Sequence, residues 1–238
     1  MTAVRFFGEP PPGIEGDDFP GCLIVIEGTD GVGRSTHIAL LKEWLEDRGF
    51  AVLDTGLTRS ELAGPGIKRA KQGHTLDPFT LNLFYATDFW DRLERKIIPA
   101  LRAGMVVLAD RYVFSLIARA AVRGVPLDWM ENLYGFALVP DKVVYLDVDV
   151  EQLLPRVLDT TGFDFWESGQ DFLRGMDVYN TFVEYQTRLL HEFRYLATRH
   201  GFAVIDARLP VAEIFRAVLT EIEPVIAKVG TEADTTVG

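Results

Sequence analysis

The stretch that decides the fold is residues 22–36, which read CLIVIEGTDGVGRST. Its first part, Leu23 to Ile26, is a short run of apolar and mostly β-branched residues, typical of a strand buried on both faces of a sheet. The glycines that follow let the backbone turn sharply and approach a ligand closely. Ser35 and Thr36 then begin a predicted helix, whose N-terminus carries partial positive charge. This order of strand, glycine loop and helix predicts a site for phosphate groups.

The spacing of the loop fits the nucleotide-binding pattern G-x-x-x-x-G-K-[ST], with Arg34 in the place of the lysine. Arginine keeps the positive charge, but its planar guanidinium group is bulkier than an ammonium group. The residues expected to bind the phosphates of a nucleotide are Gly28, Thr29, Asp30, Gly31, Val32, Gly33, Arg34, Ser35 and Thr36.

Length and composition predict one folded domain. The chain has 238 residues, 48% hydrophobic and 25% charged, as in ordinary globular proteins. We expect the domain to span residues 22–229, after an irregular leader at 1–21 and before a flexible tail at 230–238. Five short apolar segments alternate with helical patterns, which indicates an α/β fold with a five-stranded parallel sheet and helices on both faces.

The predicted strands are 23–26, 50–54, 105–110, 143–147 and 202–206. The predicted helices are 35–48, 64–72, 77–102, 112–123, 127–138, 151–158, 171–200 and 211–228. A kink is expected at Pro99, and Gly175 is a candidate interruption of the helix at 171–200. Ligands of such sheets bind at the carboxyl ends of the strands. Gly28, Arg59 and Asp110 follow or end predicted strands, so we expect them to meet at this edge.

Charge and cysteine content narrow the partners and the compartment. The formal net charge of −11 argues against binding of a nucleic-acid polymer, while basic residues concentrated in 59–71 and 92–123 favour a small anionic ligand in a cleft. The single cysteine, Cys22, allows no internal disulfide. We found neither a membrane-spanning apolar run nor a secretion signal in the sequence, and therefore expect a cytoplasmic protein without membrane association.

Asp110 and Arg111 end the third predicted strand. A carboxylate at that edge can hold Mg²⁺, and a neighbouring guanidinium group can stabilise charge on a phosphoryl group during transfer. Together with Arg34 they are the candidate catalytic residues, and Asp110 and Ser35 are the candidate metal ligands.

From about Leu23 to Leu219 the chain resembles the thymidylate kinases. The segments that carry the resemblance are LIVIEGTDGVGRST, LFYATDFWDRLERKIIPAL, VVLADRY and KVVYLDVDVEQLLPRV. The resemblance implies a P-loop NTPase fold and the use of ATP and Mg²⁺ to phosphorylate dTMP. It also implies a homodimer, for which the helix at 77–102 is a candidate contact.

The resemblance further implies roles for single residues. Asp30 would lie near the phosphates and the metal, Ser35 would ligate magnesium, Arg59 would bind the phosphate of the acceptor, and Tyr85 would stack on its base. The segment from Arg156 to Glu167 resembles the mobile lid of the family, with the lid itself at about 159–170.

Several positions depart from the family pattern. Phe89 takes the place of an arginine that hydrogen-bonds thymine. After DRY, Ser115 is retained, but Arg119 and Ala120 take the places of a tyrosine and a glutamine, and that tyrosine is associated with preference for deoxyribose. Phe89, Ser115 and Arg119 are therefore candidate substrate contacts of unusual type.

The family also places an arginine in the phosphate loop or in the lid. Here Gly31 takes the first place, and residues 160–170 contain no arginine. Arg156 and Arg174 are candidates to compensate. The sequence leaves three functions open: a dTMP kinase, a kinase for a different small acceptor, and a nucleotide-binding protein with little catalysis.

Overall fold

A computed structural model describes residues 5–14, 19–73, 76–160 and 162–233. Its centre is a five-stranded sheet formed by β1 (Cys22–Glu27), β2 (Val52–Gly56), β3 (Val106–Asp110), β4 (Lys142–Asp147) and β5 (Ala203–Asp206). The strands are parallel and lie in the order β2-β3-β1-β4-β5. The α/β fold and the five-stranded parallel sheet predicted from the sequence are confirmed.

The helices are α1 (Arg34–Glu46), α2 (Gly64–Gly73), α3 (Pro78–Arg92), α4 (Ile98–Arg102), α5 (Val113–Val122), α6 (Leu127–Leu133), α7 (Val150–Leu158), α8 (Val178–His200) and α9 (Val211–Ala233). Successive residues of β1 point to opposite faces of the sheet. Leu23 and Val25 pack in one hydrophobic cluster with α3, α5 and α8, while Ile24 and Ile26 pack in a second with α1, α7 and α9. Helices therefore cover both faces.

The long helix predicted at 77–102 is interrupted earlier than expected. Asp77 caps α3, because its side chain accepts hydrogen bonds from the backbone N–H groups of Phe79 (2.9 Å) and Thr80 (3.0 Å). A π-helical turn at Leu93–Ile97 then joins α3 to α4. Pro99 lies at the start of α4 and, because it has no N–H group, cannot donate to the preceding helical turn, so the irregular turn lies directly before it.

Other predicted bounds also differ from the structure. The second strand lies two residues later than predicted, and α6 ends at Leu133 instead of residue 138. The helix predicted from residue 171 begins at Val178, because Asp177 caps it there with a hydrogen bond from the N–H of Asn180 at 2.9 Å. Residues 171–177 have no regular secondary structure.

The described part of the leader packs against the domain. Phe6 pairs with Leu138 in an antiparallel bridge, and the N–H groups of Phe7 and Gly8 donate to the carbonyls of Ala137 and Gly135. At the other end α9 continues to Ala233, so the first residues of the predicted tail are helical. Leader residues 1–4 and 15–18, lid residue 161 and tail residues 234–238 lie outside the described residues.

Within the residues that the structure describes, every helix is too short or too polar to cross a membrane.

Candidate active site

The glycine loop joins β1 to α1 at the carboxyl edge of the sheet. Gly28, Gly31 and Gly33 have backbone φ angles of 149°, 78° and 101°, which residues other than glycine rarely adopt. A Cβ atom on Gly31 would lie 2.9 Å from a methyl carbon of Val157 in α7. The place where the family carries an arginine is therefore closed by packing in this chain.

Arg34, the first residue of α1, turns back across the loop. Its Nη1 donates to the carbonyl oxygens of Thr29 and Gly28, the latter at 2.6 Å, and its Nε donates to Asp110 Oδ1 at 2.8 Å. The guanidinium group thus joins the loop to the end of β3.

Asp110 and Ser35 supply oxygen atoms of the type that Mg²⁺ prefers. Ser35 Oγ donates to Asp110 Oδ2 at 3.4 Å, so the two predicted ligands are neighbours. Among the described residues, no group of three or more histidine, cysteine, aspartate or glutamate side chains is placed to hold a metal. This pair suits an ion bound mainly through phosphate oxygens and water, as Mg²⁺ commonly is.

Arg111 has a positive φ of 71°, which is uncommon outside glycine and often marks a functional position. Its backbone N–H donates to the carbonyl of Ile26 at 3.0 Å, and its buried side chain donates to Asp30. Its Nε has no hydrogen-bond partner. The backbone therefore holds this guanidinium group against the phosphate loop.

Glu27, at the end of β1, contacts the residues at the start of α5, next to Arg111. It is fully buried and accepts hydrogen bonds from the N–H groups of Tyr112 (2.8 Å) and Ser115 (3.2 Å) and from Ser115 Oγ (2.6 Å). Burial raises the pKa of Glu27 to about 7, against the lowering effect of these hydrogen bonds and of Arg34. Glu27 thereby fixes the start of α5 relative to the phosphate loop.

Arg59 lies in the loop after β2, where Thr58 also has a positive φ of 59°. Fully buried Asp88 of α3 accepts hydrogen bonds from the N–H groups of Thr58 (3.1 Å) and Ser60 (2.9 Å), and from Arg92 Nε at 2.9 Å. The half-exposed side chain of Arg59 donates to Asp54 at 2.9 Å. Asp88 and Arg92 thus shape the loop that presents Arg59.

A central cavity of about 1230 Å³ connects these parts. Among the residues that line it, six basic side chains face five acidic ones, although the whole chain carries a net charge of −11. The basic residues are Arg34, Arg59, Lys71, Arg111, Arg119 and Arg156. The volume exceeds that of a typical single-ligand pocket, about 300–1,000 Å³, and so suits two ligands.

Three arginines meet at Asp30 in the phosphate loop. Arg34 Nη2 lies 3.4 Å from Oδ1, Arg111 Nη2 donates to the same oxygen, and Arg119 Nη2 lies 3.1 Å from Oδ2. Burial by itself would raise the pKa of Asp30, but the charges of Arg119 and Arg34 outweigh it and hold that pKa below its usual range. We call Arg34, Arg111 and Arg119 the arginine cluster.

Arg119 also pairs with Glu167, at 2.8 Å from Oε1. Burial raises the pKa of Glu167 to about 7, although Arg119 acts to lower it. The Glu167 carboxyl group also lies in hydrogen-bonding contact with the Asp30 carboxyl group, and the backbone carbonyl of Glu167 accepts from Gln186 Nε2 at 2.8 Å. Arg119 therefore joins the phosphate loop to the segment predicted as the lid.

The segment at 163–173, here called the docked segment, is held by Arg123 of the turn after α5. Arg123 donates to both carboxylate oxygens of Asp171 (2.7 and 3.0 Å), to the carbonyl of Trp166 (2.8 Å) and to Tyr185 Oη (3.2 Å). Trp166 Nε1 also donates to the carbonyl of Lys71 at 3.1 Å. In this structure most of the predicted lid is thus fastened to α2, α5 and α8.

Two residues that were predicted to contact the substrate do not line the cavity. Phe89 is fully buried in the core, with its ring edge-to-face on Tyr112 and Tyr134 at 5.0 and 6.1 Å. Ser115 is also fully buried and is bonded to Glu27. The prediction that Phe89 and Ser115 contact the substrate is therefore wrong, because both side chains point into the domain.

The other predicted contacts lie at the cavity. Tyr85, Arg59, Arg111, Arg119, Arg156 and Glu167 all line it. Arg156 Nη2 donates to the carbonyl of Ala207 at 2.9 Å. Arg174, a candidate to replace the missing arginine, is exposed on the turns before α8 and away from the cavity wall.

Sequence reasoning missed five residues that build the site: Glu27, Lys71, Asp88, Arg123 and Gln186. Glu27 could have been noticed as an acidic residue that ends a fully apolar strand, where an ionisable group needs partners. Asp88 and Arg92 have the i, i+4 spacing of a helical ion pair. Lys71 and Arg123 fall in the basic stretches 59–71 and 92–123, but their individual roles, like that of Gln186, depend on elements distant in the chain.

The sequence of this chain is similar to those of known proteins. The sequence model of the family described as thymidylate kinase matches residues 26–218. A probable thymidylate kinase 2 of Saccharolobus solfataricus is 38% identical over 196 residues, covering 82% of this chain and 92% of the relative. Probable thymidylate kinases of Pyrococcus horikoshii and Caldivirga maquilingensis are 33% and 30% identical, covering 74% and 85% of this chain and 83% and 94% of those relatives. This chain belongs to the thymidylate kinase family.

Proposed function

We propose that this protein transfers the γ-phosphoryl group of ATP to dTMP, producing dTDP and ADP. The bond between the γ-phosphorus and the β,γ-bridging oxygen breaks, a phosphate oxygen of dTMP forms the new bond, and the electron pair leaves with ADP. The observation that carries the proposal is the central cavity, in which the phosphate loop faces Arg59, Asp110 and Arg111 within a fold matched by the family over residues 26–218.

The chain's own residues supply position and charge. The phosphate loop binds the donor phosphates, Arg59 and Arg111 hold the phosphate of the acceptor, and Tyr85 packs against its base. The Asp110–Ser35 pair would hold Mg²⁺, which neutralises phosphate charge when it is bound. Since phosphoryl transfer depends mainly on positioning and electrostatic stabilisation, this arrangement needs no covalent intermediate.

An ADP-release assay tests the proposal. Purified protein is given ATP and Mg²⁺ with dTMP, dUMP, the other nucleoside monophosphates or free nucleosides, one at a time. We expect dTMP to be the preferred acceptor, with kcat/KM above about 10⁴ M⁻¹s⁻¹. Asp110→Asn, which removes one carboxylate charge, should reduce turnover strongly, while Glu94→Gln at an exposed position should not. Failure of every monophosphate to release ADP would contradict the proposal.

A second candidate keeps the reaction and changes the acceptor. One observation favours it: Phe89 is buried in the core where the family's thymine-binding arginine would start. The same acceptor panel decides, because a non-thymine acceptor would then exceed dTMP in kcat/KM.

A third candidate, nucleotide binding with little catalysis, follows from the contacts of Arg34 with its own loop and Asp110. Arg34→Lys separates it from the first. A large gain in turnover at unchanged thermal stability indicates a weakened kinase, whereas an already active wild type excludes this candidate.

We also propose that the protein forms a homodimer through α3. Leu83 and Phe84 on this helix are exposed, with 49% and 39% of their surface accessible, and so offer apolar area to a second copy. Light scattering coupled to size exclusion should give twice the chain mass, and Leu83→Glu should give the monomer. A wild-type monomer at micromolar concentration would contradict this. A cytoplasmic location and the lack of binding to nucleic-acid polymers stay predictions.

A further inference from the structure

The arginine cluster has a member that the phosphate-loop and strand-end motifs do not provide. Arg34 comes from the phosphate loop and Arg111 from the end of β3, but Arg119 comes from the second turn of α5, where the family pattern has a tyrosine. All three guanidinium groups lie within 3.4 Å of one carboxylate, that of Asp30.

The geometry of the cluster suits a phosphoryl group. The two oxygens of a carboxylate are close together, so donors that converge on both of them also lie close to one another. A phosphoryl group presents three equatorial oxygens at comparable spacing and carries more charge, and arginine binds such oxygens through pairs of N–H groups. The three side chains therefore form an anion site that either Asp30 or a phosphoryl group can satisfy.

Arg119 is held in place for this role. Its side chain is only 16% exposed, and Glu167 Oε1 accepts from the same Nη2 atom that contacts Asp30. The Glu167 contact at 2.8 Å comes from the docked segment and gives the guanidinium group a second partner, which also contacts Asp30 itself. Glu167 therefore helps to keep Arg119 oriented when Asp30 exchanges its partners.

The alternative suppliers of a third positive charge are less well placed. Gly31 packs against Val157, residues 160–170 contain no arginine, Arg174 is exposed away from the cavity, and Arg156 is bonded to the carbonyl of Ala207. Resting on the proposed function, we propose that Arg119 is a catalytic residue, which stabilises the charge of the transferring phosphoryl group in place of an arginine from the phosphate loop or the lid.

The test is Arg119→Gln in the full chain, assayed with ATP, Mg²⁺ and dTMP. We expect kcat to fall about 10³-fold, the lower range for removal of a charge-stabilising arginine, with the KM for each substrate changed by only a few-fold. Arg119→Lys should retain part of the activity, because it keeps a charge without the planar donor pair. The matched control is Arg95→Gln, which removes an arginine that is 72% exposed and paired with Asp91; its kcat should equal that of the wild type.

Chemical rescue distinguishes a direct role from a structural one. Millimolar guanidinium chloride should restore part of the turnover of Arg119→Ala and leave that of Arg95→Gln unchanged. Should Arg119→Gln lose thermal stability because Glu167 is left unpaired, the double variant Arg119→Gln, Glu167→Gln removes both charges and is assayed in the same way.

The outcomes separate the two proposals. A wild type that turns over no monophosphate overturns the proposed function. An active wild type whose folded Arg119→Gln variant keeps kcat within ten-fold overturns only the catalytic role of Arg119, as does a change confined to KM or a lack of rescue.

Discussion

The carboxyl group of Glu27 is a buried acid whose protonation affects stability. Its pKa is raised to about 7 in the folded protein from an ordinary value of 4.5. Between these values the folded state binds more protons than the unfolded state, so the free energy of unfolding decreases as pH rises from about 4.5 to about 7. The shift corresponds to on the order of 3 kcal/mol.

Glu27→Gln should remove this dependence. Glutamine can still accept from the N–H groups of Tyr112 and Ser115 and can donate to Ser115 Oγ, so the hydrogen bonds are kept. We expect the Tm of the variant, relative to that of the wild type, to rise between pH 5 and pH 8 in thermal unfolding. The control is Glu94→Gln, an exposed site. Parallel Tm curves for wild type and Glu27→Gln would contradict the assigned cause.

The sequence predicted those site residues that belong to a short motif, and it missed those that are brought together from distant parts of the chain. The phosphate loop and the Asp110–Arg111 pair were located because each follows a strand at a fixed spacing, and the structure brings them within hydrogen-bond distance. Phe89 was misplaced because it was proposed only from its correspondence to the family's thymine-binding arginine, and that correspondence did not show that the ring packs in the core. The contacts of Arg119 join three distant segments and had no sequence signal.

Among the elements, the docked segment depends on Arg123. The Arg123 guanidinium group makes three hydrogen bonds to this segment, two to Asp171 and one to the carbonyl of Trp166. Hydrogen bonds that involve a charged group contribute about 1.5–3 kcal/mol each. Arg123→Gln should therefore increase amide hydrogen exchange in residues 164–172 by at least about ten-fold, while amides of β1 and β3 keep their protection.

Arg188→Gln provides the control for this measurement. Arg188 lies on α8 and pairs with partly exposed Glu184 one turn away, at 2.7 Å. Its loss should leave exchange in the docked segment unchanged. Equal exchange in Arg123→Gln and the wild type would show that the packing of Trp166 and Phe172 is sufficient to hold the segment.

The elements themselves were largely predictable, with errors at their ends. Buried strands such as β1 and β3 were located to within about one residue because apolar runs and flanking glycines define them. The start of α8 was missed because Asp171 and Asp177 are both suitable helix caps, and the ion pair with Arg123 uses the first of them.

At the scale of the whole molecule, the leader packs onto the folded domain, although it lies before residue 26, where the match to the family model begins. The ring of Phe7 packs edge-to-face on Phe114 and His200 at centroid distances of 5.6 and 5.7 Å. Phe7→Ala should lower the free energy of unfolding by about 2 kcal/mol, less than for a fully buried ring. Denaturant unfolding measures this, with Leu158→Ala at an exposed position as the control. A difference within 0.5 kcal/mol of the control, roughly the usual range for surface changes, would indicate a leader that contributes little.

Asp30 gives the assembled site a built-in selectivity among anions. A carboxylate attached to the loop by its own backbone competes for the arginines at an effective concentration of at least millimolar order. Free inorganic phosphate or sulfate has only one anionic group with which to displace the Asp30 carboxylate from the arginines. Under the proposed function, a nucleotide would displace it with the help of its remaining phosphates, sugar and base, which would bind elsewhere in the cavity. The enzyme should therefore stay uninhibited by simple anions at concentrations that would saturate an unscreened cluster of three arginines.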